Sequence, residues 1–98
     1  MTENEVIEIL KAFSVSSRIQ IIKSIRDKRL CVNALAGKLG ITQSAVSQHL
    51  KVLKACNIVY SERYGSIIHY RLNKKTIKEF KNGFSKIFGE ELQQWKKF

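Results

Sequence analysis

No apolar run in this 98-residue sequence approaches the roughly 18 residues that a membrane-spanning helix needs. A basic signal-peptide start is missing too, since the charged side chains of the first ten residues, MTENEVIEIL, are all acidic. Both absences predict a cytoplasmic protein with no membrane partner. Cysteine is scarce. Cys31 and Cys56 are too few and too far apart for a disulfide framework or a four-ligand zinc site, and both suit reduced cytosolic thiols. There is no glycine-rich phosphate loop, and no nucleophile stands beside an evident base and orienter, so an enzyme has little support. No repeat or low-complexity linker divides the chain. Residues 1–98 are expected to form a single small domain with a modest core, to which oligomerisation would add apolar burial.

Acidic residues are missing from one long region in particular. Residues 28–86 hold twelve Lys and Arg against only Glu62 and Glu79, while the flanks are balanced, so the net charge of +10 resides there. A localised excess of this kind suits a polyanion, most simply a nucleic acid, although a solvated basic surface would have the same composition.

The apolar spacing predicts helices over 4–13, with Val6, Ile9, Leu10 and Phe13 inward, and over 17–28, with Ile19, Ile22 and Ile25 in a stripe widened by Ile21. The serines of SVSS, 14–17, are placed to cap the second helix. A short third helix is expected over 31–38, ending at Gly40 in the left-handed conformation that glycine adopts cheaply. Thr42 then caps a fourth helix running to about Cys56, with Ala45, Val46, Leu50 and Leu53 buried and Asn57 as its stop. After this the period changes to that of strands. IVYSERYGSIIHYRL reads as a hairpin turning at Gly65–Ser66, with Ile68, Tyr70 and Leu72 on one face.

The last segment, 74–95, returns to helical spacing through Ile77, Phe80, Phe84, Ile87, Phe88, Leu92 and Trp95. This stripe either packs on its own domain or serves as a subunit interface. Gly83 and Gly89 weaken the helix and mark a kink or an early end.

The three-residue connection GIT, 40–42, between two short amphipathic helices has helix-turn-helix spacing. In that motif the second helix enters the major groove with its N-terminal residues toward base edges. Gln43, Ser44, Ser47, Gln48 and His49 are the donors and acceptors such a position uses, and Gln can pair bidentately with adenine. Lys51 and Lys54 follow where phosphates would lie, and Lys38 on the third helix is expected, with Arg63, to hold phosphates or the wing site. The hairpin reads as a wing. Arg63 and Tyr64 flank Gly65 at its turn, with Arg71 and His69 on the opposite strand, and Tyr64 is either a contact or a plain surface aromatic.

The segments LAGKLGITQSAVSQHLKVLKACNIV and RYGSIIHYRL, with Arg18 in the second helix, resemble the ArsR/SmtB family of winged helix-turn-helix repressors over nearly the whole chain. The resemblance implies a mainly α fold with a β-hairpin wing, ordered α-α-α-α-β-β-α. It also implies a homodimer formed by the first and last helices, here through Ile9, Phe13, Phe80, Phe84, Ile87 and Trp95. Such a dimer would bind double-stranded DNA at an inverted-repeat operator and release it to an inducer, whose identity the sequence does not name.

The chain departs from the family at its metal sites. Many relatives carry Cys-x-Cys-Asp at the start of the third helix, where this sequence has Cys31 followed by Asn33 and Ala34, a poor soft-metal set. The other common site uses Asp, His and Glu of the last helix, and 74–98 contain neither His nor Asp. No metal or other cofactor is expected. Cys31, at a helix N-terminus, and Cys56 are candidate thiol sensors, or simply small apolar fillers. Helices of the expected lengths would hold them roughly 15–20 Å apart, beyond disulfide reach. A rival reading is a winged-helix protein-interaction module that binds nucleic acid weakly and without sequence preference. RNA binding is disfavoured by the lack of stacking aromatics on the fourth helix.

Overall fold

The computed structural model describes residues 1–89, in the order α1 (Glu3–Phe13), α2 (Ser16–Ile25), β1 (Leu30–Cys31), α3 (Val32–Leu39), α4 (Gln43–Ala55), β2 (Val59–Tyr64), β3 (Ile67–Leu72) and α5 (Lys74–Phe88). The expected helices and hairpin are present. The expected order is corrected in one place, because β1 is an additional strand. Leu30 and Cys31 pair antiparallel with Tyr70 and His69, giving a three-stranded sheet ordered β1-β3-β2. Cys31 therefore ends a strand and caps α3 instead of opening the helix.

Local chemistry starts and stops most elements. At α1, the Thr2 hydroxyl accepts from the Glu5 N–H (3.2 Å) and the Glu5 carboxylate accepts from the Thr2 N–H (2.8 Å). That reciprocal cap satisfies two free N–H groups and holds the Glu5 carboxyl below its usual range, chiefly through the Thr2 backbone N–H. The expected serine cap of α2 is absent. Ser14 donates its hydroxyl back to the Lys11 carbonyl (2.6 Å), so it closes α1, while Val15 occupies the N-cap of α2 without a side-chain bond. α2 ends at Ile25, and its buried row is Ile21, Ser24 and Ile25, with Ile19 36 % exposed. On α1 the inward row is Val6, Ile9 and Ala12, and Leu10 faces outward.

The core joins Val6, Ile9 and Ala12 to Ile21, Ile25, Leu35, Ala36, Val46, Leu50, Leu53, Ile58, Val59 and Phe80. Two residues expected at a subunit interface belong to it: Ile9 is 2 % exposed and Phe80 9 %. Both sit on the inward faces of α1 and α5, where these helices pack together, so neither is available to a partner. Phe13 meets Phe80 edge-on (centroids 5.3 Å apart), Phe84 stacks on Phe80 (5.6 Å) and Phe88 meets Phe84 edge-on (5.2 Å). This ladder runs outward along α5 from the core to the surface.

α5 does not end at Gly83 but runs on to Phe88. A Cβ on Gly83 would lie 2.8 Å from Cγ2 of the fully buried Val6, so glycine is what lets α1 and α5 approach. The helix stops at Phe88, and Gly89 follows at φ 73°. Leu92 and Trp95 lie outside the described residues. No helix among the described residues is long and apolar enough to cross a membrane.

Candidate nucleic-acid interface

α3 ends at Gly40 (φ 69°), whose N–H and that of Ile41 both bond the Ala36 carbonyl. The chain turns through Ile41 and re-enters a helix at Thr42, whose hydroxyl accepts from the Ala45 N–H (3.1 Å). Val46, Leu50 and Leu53 bury one side of α4. Asn57, at φ 61°, ends the turn after α4. Because the core residues fix the rotation of the helix, Gln43, Ser44, Ser47, Gln48 and Lys51 are exposed on its other side. Ser44, Ser47, Gln48 and Lys51 follow the spacing of a single helical stripe. Lys38, in the last turn of α3, is exposed as well.

Three side chains of this region are already engaged within the chain. Gln43 donates its amide to the Asn33 Oδ1 (3.1 Å), linking α4 to α3 across the turn. Lys54, expected at phosphates, donates instead to the Ser61 hydroxyl (3.1 Å) and joins α4 to β2. His49 lies off the exposed stripe and is half-buried, with the Arg18 Nε donating to its Nδ1 (3.4 Å). Arg18 also reaches the Ala12 carbonyl (3.4 Å). An Nδ1 that accepts carries no proton, so the neutral ring bears its N–H at Nε2.

β2 and β3 pair from Val59↔Leu72 to Tyr64↔Ile67, with Gly65 (φ 63°) in the turn. Alternation divides their residues between two faces. Tyr70, Leu72 and Val59 turn toward the core. Arg63, paired with Ile68, is exposed near the tip. On the outer face Glu62 forms an ion pair with Arg71, and the Tyr64 hydroxyl donates to Glu62 (3.3 Å). Both neighbours, Tyr64 first and then Glu62, raise the Arg71 pKa further. Tyr64 also meets the His69 ring edge-on (5.2 Å) and lies under the Arg29 guanidinium (3.9 Å). The His69 Nδ1 is buried without a hydrogen-bond partner among the described residues.

Sequence reasoning missed Arg29 and Asn33. Asn33 appeared only as a lost metal ligand, and Arg29 only as one of the twelve cations of residues 28–86. Their partners, Gln43 and Tyr64, are brought to them by the turn and by β1.

The thiols are both partly shielded. The Cys31 sulfur accepts from the Ala34 N–H (3.5 Å) as the cap of α3, and the Cys56 thiol faces the carbonyls of Leu53 (3.4 Å) and Val52 (3.6 Å). Burial pushes the Cys56 thiol pKa up. It lines a cavity of about 580 Å³ between α1, the end of α4 and the start of α5, together with Arg18 and Glu79. Among the described residues no group of three or more His, Cys, Asp or Glu is placed to hold a metal ion.

A helix-turn-helix with an adjoining wing defines a winged-helix protein of the kind that docks its second motif helix into a DNA groove. Comparison with known proteins narrows this class. The model of the bacterial regulatory protein arsR family matches residues 15–61. The repressor SmtB of Mycobacterium tuberculosis is 43 % identical over 65 residues, covering 66 % of this chain and 48 % of that one, so the chain spans about half the length of that relative. The nodulation protein NolR of Rhizobium meliloti is 34 % identical over 82 residues, covering 84 % of this chain and 67 % of that one. An ArsR-like transcriptional regulator from Rhodococcus sp. RHA1 shares the fold, with a TM-score of 0.82 at 24 % identity over 94 % of this chain and 87 % of that one. The chain belongs to the arsR family, whose members are DNA-binding transcription regulators and not enzymes.

Proposed function

We propose that this chain forms one cytoplasmic DNA-binding unit that acts as a homodimeric transcriptional repressor on an inverted-repeat operator. The observation that carries the reading is the stripe of Ser44, Ser47, Gln48 and Lys51. It lies exposed on a helix whose opposite side is locked into the core. Gln48 and the two serines are the base-reading groups, and Gln43 joins them through the part of its amide not given to Asn33. Lys51, Lys38 and Arg63 contact phosphates, with the Gly65 turn letting the wing approach the minor groove. His49 contributes its Nε2–H from the edge of this surface.

The dimer forms through α1 and α5. Phe88 (46 % exposed) carries the aromatic ladder to the surface, Ile87 (48 %) is exposed beside it, and Ile7 and Leu10 are exposed on α1. Phe84 and Phe13, both half-buried, support that surface from below. The proposal includes no metal inducer. Cys31 is followed by the neutral side chains of Asn33 and Ala34, and α5 carries no His or Asp through Phe88.

Selection from a randomised duplex pool with the reduced protein tests the reading. An enriched inverted repeat with half-sites about 10–10.5 base pairs apart is the expected result. Salt-sensitive binding with no enriched sequence would refute it and favour the interaction module.

A further inference from the structure

Arg29 precedes β1, where Leu30 pairs with Tyr70. Its backbone therefore lies near the root of β3, well short of the Gly65–Ser66 turn. Its guanidinium nevertheless rests 3.9 Å over the ring centroid of Tyr64, the last residue of β2 before that turn. The Tyr64 ring reaches back from the turn over Glu62 and His69, and the Arg29 guanidinium meets it there, so the charge lies on the outer face of the wing. The Tyr64 ring beneath it is held at two further points, by its hydroxyl bond to Glu62 and by the His69 edge.

The two arginines of this outer face differ in what remains free. Arg71 shares its charge with Glu62. Arg29 has no ion-pair partner among the described residues. Stacking on an aromatic face occupies only the plane of a guanidinium, leaving its edge N–H groups open to bind a phosphate bidentately.

We infer that Arg29, laid on Tyr64, is a phosphate contact of the wing on duplex DNA, and that Arg71 holds the platform instead of touching DNA. This rests on the DNA-binding reading of α4 and the wing. Tyr64 is then a positioning residue, and its surface exposure follows from the guanidinium it carries.

The test titrates an enriched duplex and a random-sequence duplex between 50 and 200 mM salt with the full chain and its variants. Arg29→Ala is expected to lose about 3–10-fold on both duplexes at the low-salt end, and its log K against log salt slope to fall by about 0.9, one phosphate's worth. Arg29→Lys should restore the slope. Tyr64→Leu should behave as Arg29→Ala, the double variant should be no worse than either, and Tyr64→Phe, which keeps the ring, should stay near wild type. Arg71→Gln should leave the slope unchanged. Arg29 is exposed, so Arg29→Ala should also keep the wild-type unfolding midpoint. Should Tyr64→Leu fail to fold, the Arg29→Ala and Arg29→Lys pair decides alone. Wild-type slope and affinity in Arg29→Ala, or a slope lost in Arg71→Gln, would overturn the inference while leaving the DNA-binding reading intact. No salt-dependent duplex binding by the wild type would refute both.

Discussion

The Arg18 Nε donates to Nδ1 of His49 at 3.4 Å, tying α2 to α4 and fixing which imidazole nitrogen accepts. Nitrogen-15 NMR should therefore show the Nε2–H tautomer of the neutral ring. Arg18→Leu should weaken operator binding by about 0.5–1.5 kcal/mol, the scale of one hydrogen bond. The salt slope should not change, because Arg18 orients His49 and does not touch a phosphate. A lower slope in that variant would place Arg18 on the DNA backbone.

Gly83 faces Val6, and the substitution to alanine pits two effects against each other. Alanine gains up to about 1 kcal/mol in helix propensity, whereas overpacking a filled core costs about 1–3 kcal/mol. Val6 is fully buried and its Cγ2 would stand 2.8 Å from the new Cβ, so the clash should win. Chemical denaturation should show Gly83→Ala less stable by a net loss on the order of 1 kcal/mol. An alanine variant at least as stable as wild type would mean that α1 and α5 are not closely packed there.

The exposed apolar surface of α1 and α5 predicts the oligomer. Ile87→Asp puts a charge at a position that is 48 % exposed, so the protomer core is left alone. Sedimentation should show wild type as a dimer and the variant as a folded monomer at low micromolar concentration. A variant that remains dimeric would move the interface elsewhere.

Cys56 has a raised pKa because burial disfavours its thiolate. At a fixed pH it carries less thiolate than an exposed peptide cysteine. Alkylation followed by mass spectrometry should therefore find it slower than a peptide standard at pH 8, with its rate climbing at higher pH than the standard's. Its place on the cavity wall gives a small reagent access, so the thiolate fraction governs the rate. Faster modification than the peptide would support Cys56 as a redox sensor.

What the sequence made legible was local. Gly40, Thr42 and the Val46, Leu50 and Leu53 spacing define the turn and α4 within a few residues, and Gly65 and Asn57 sit at the positive φ values their types suggest. β1 was not legible, because two residues have no period and become a strand only through pairing with β3. The SVSS serines could cap either neighbour, and Ser14 bonds backward. An apolar stripe does not say whose core it enters, which is why Ile9 and Phe80 read as interface while burying themselves in their own chain. The same limit hid the engaged side chains of the candidate site. His49, Lys54 and Gln43 have polar partners on α2, β2 and α3, and no spacing rule within α4 reports them.

The most direct measurement compares Gln48→Ala with wild type on every single-base variant of one operator half-site and on random duplex. A loss of about 1–3 kcal/mol confined to one base-pair position, with random-duplex affinity nearly unchanged, is the result expected of a base-reading side chain. Equal losses on operator and random duplex would contradict the account, leaving the exposed stripe of α4 as a backbone contact without sequence readout.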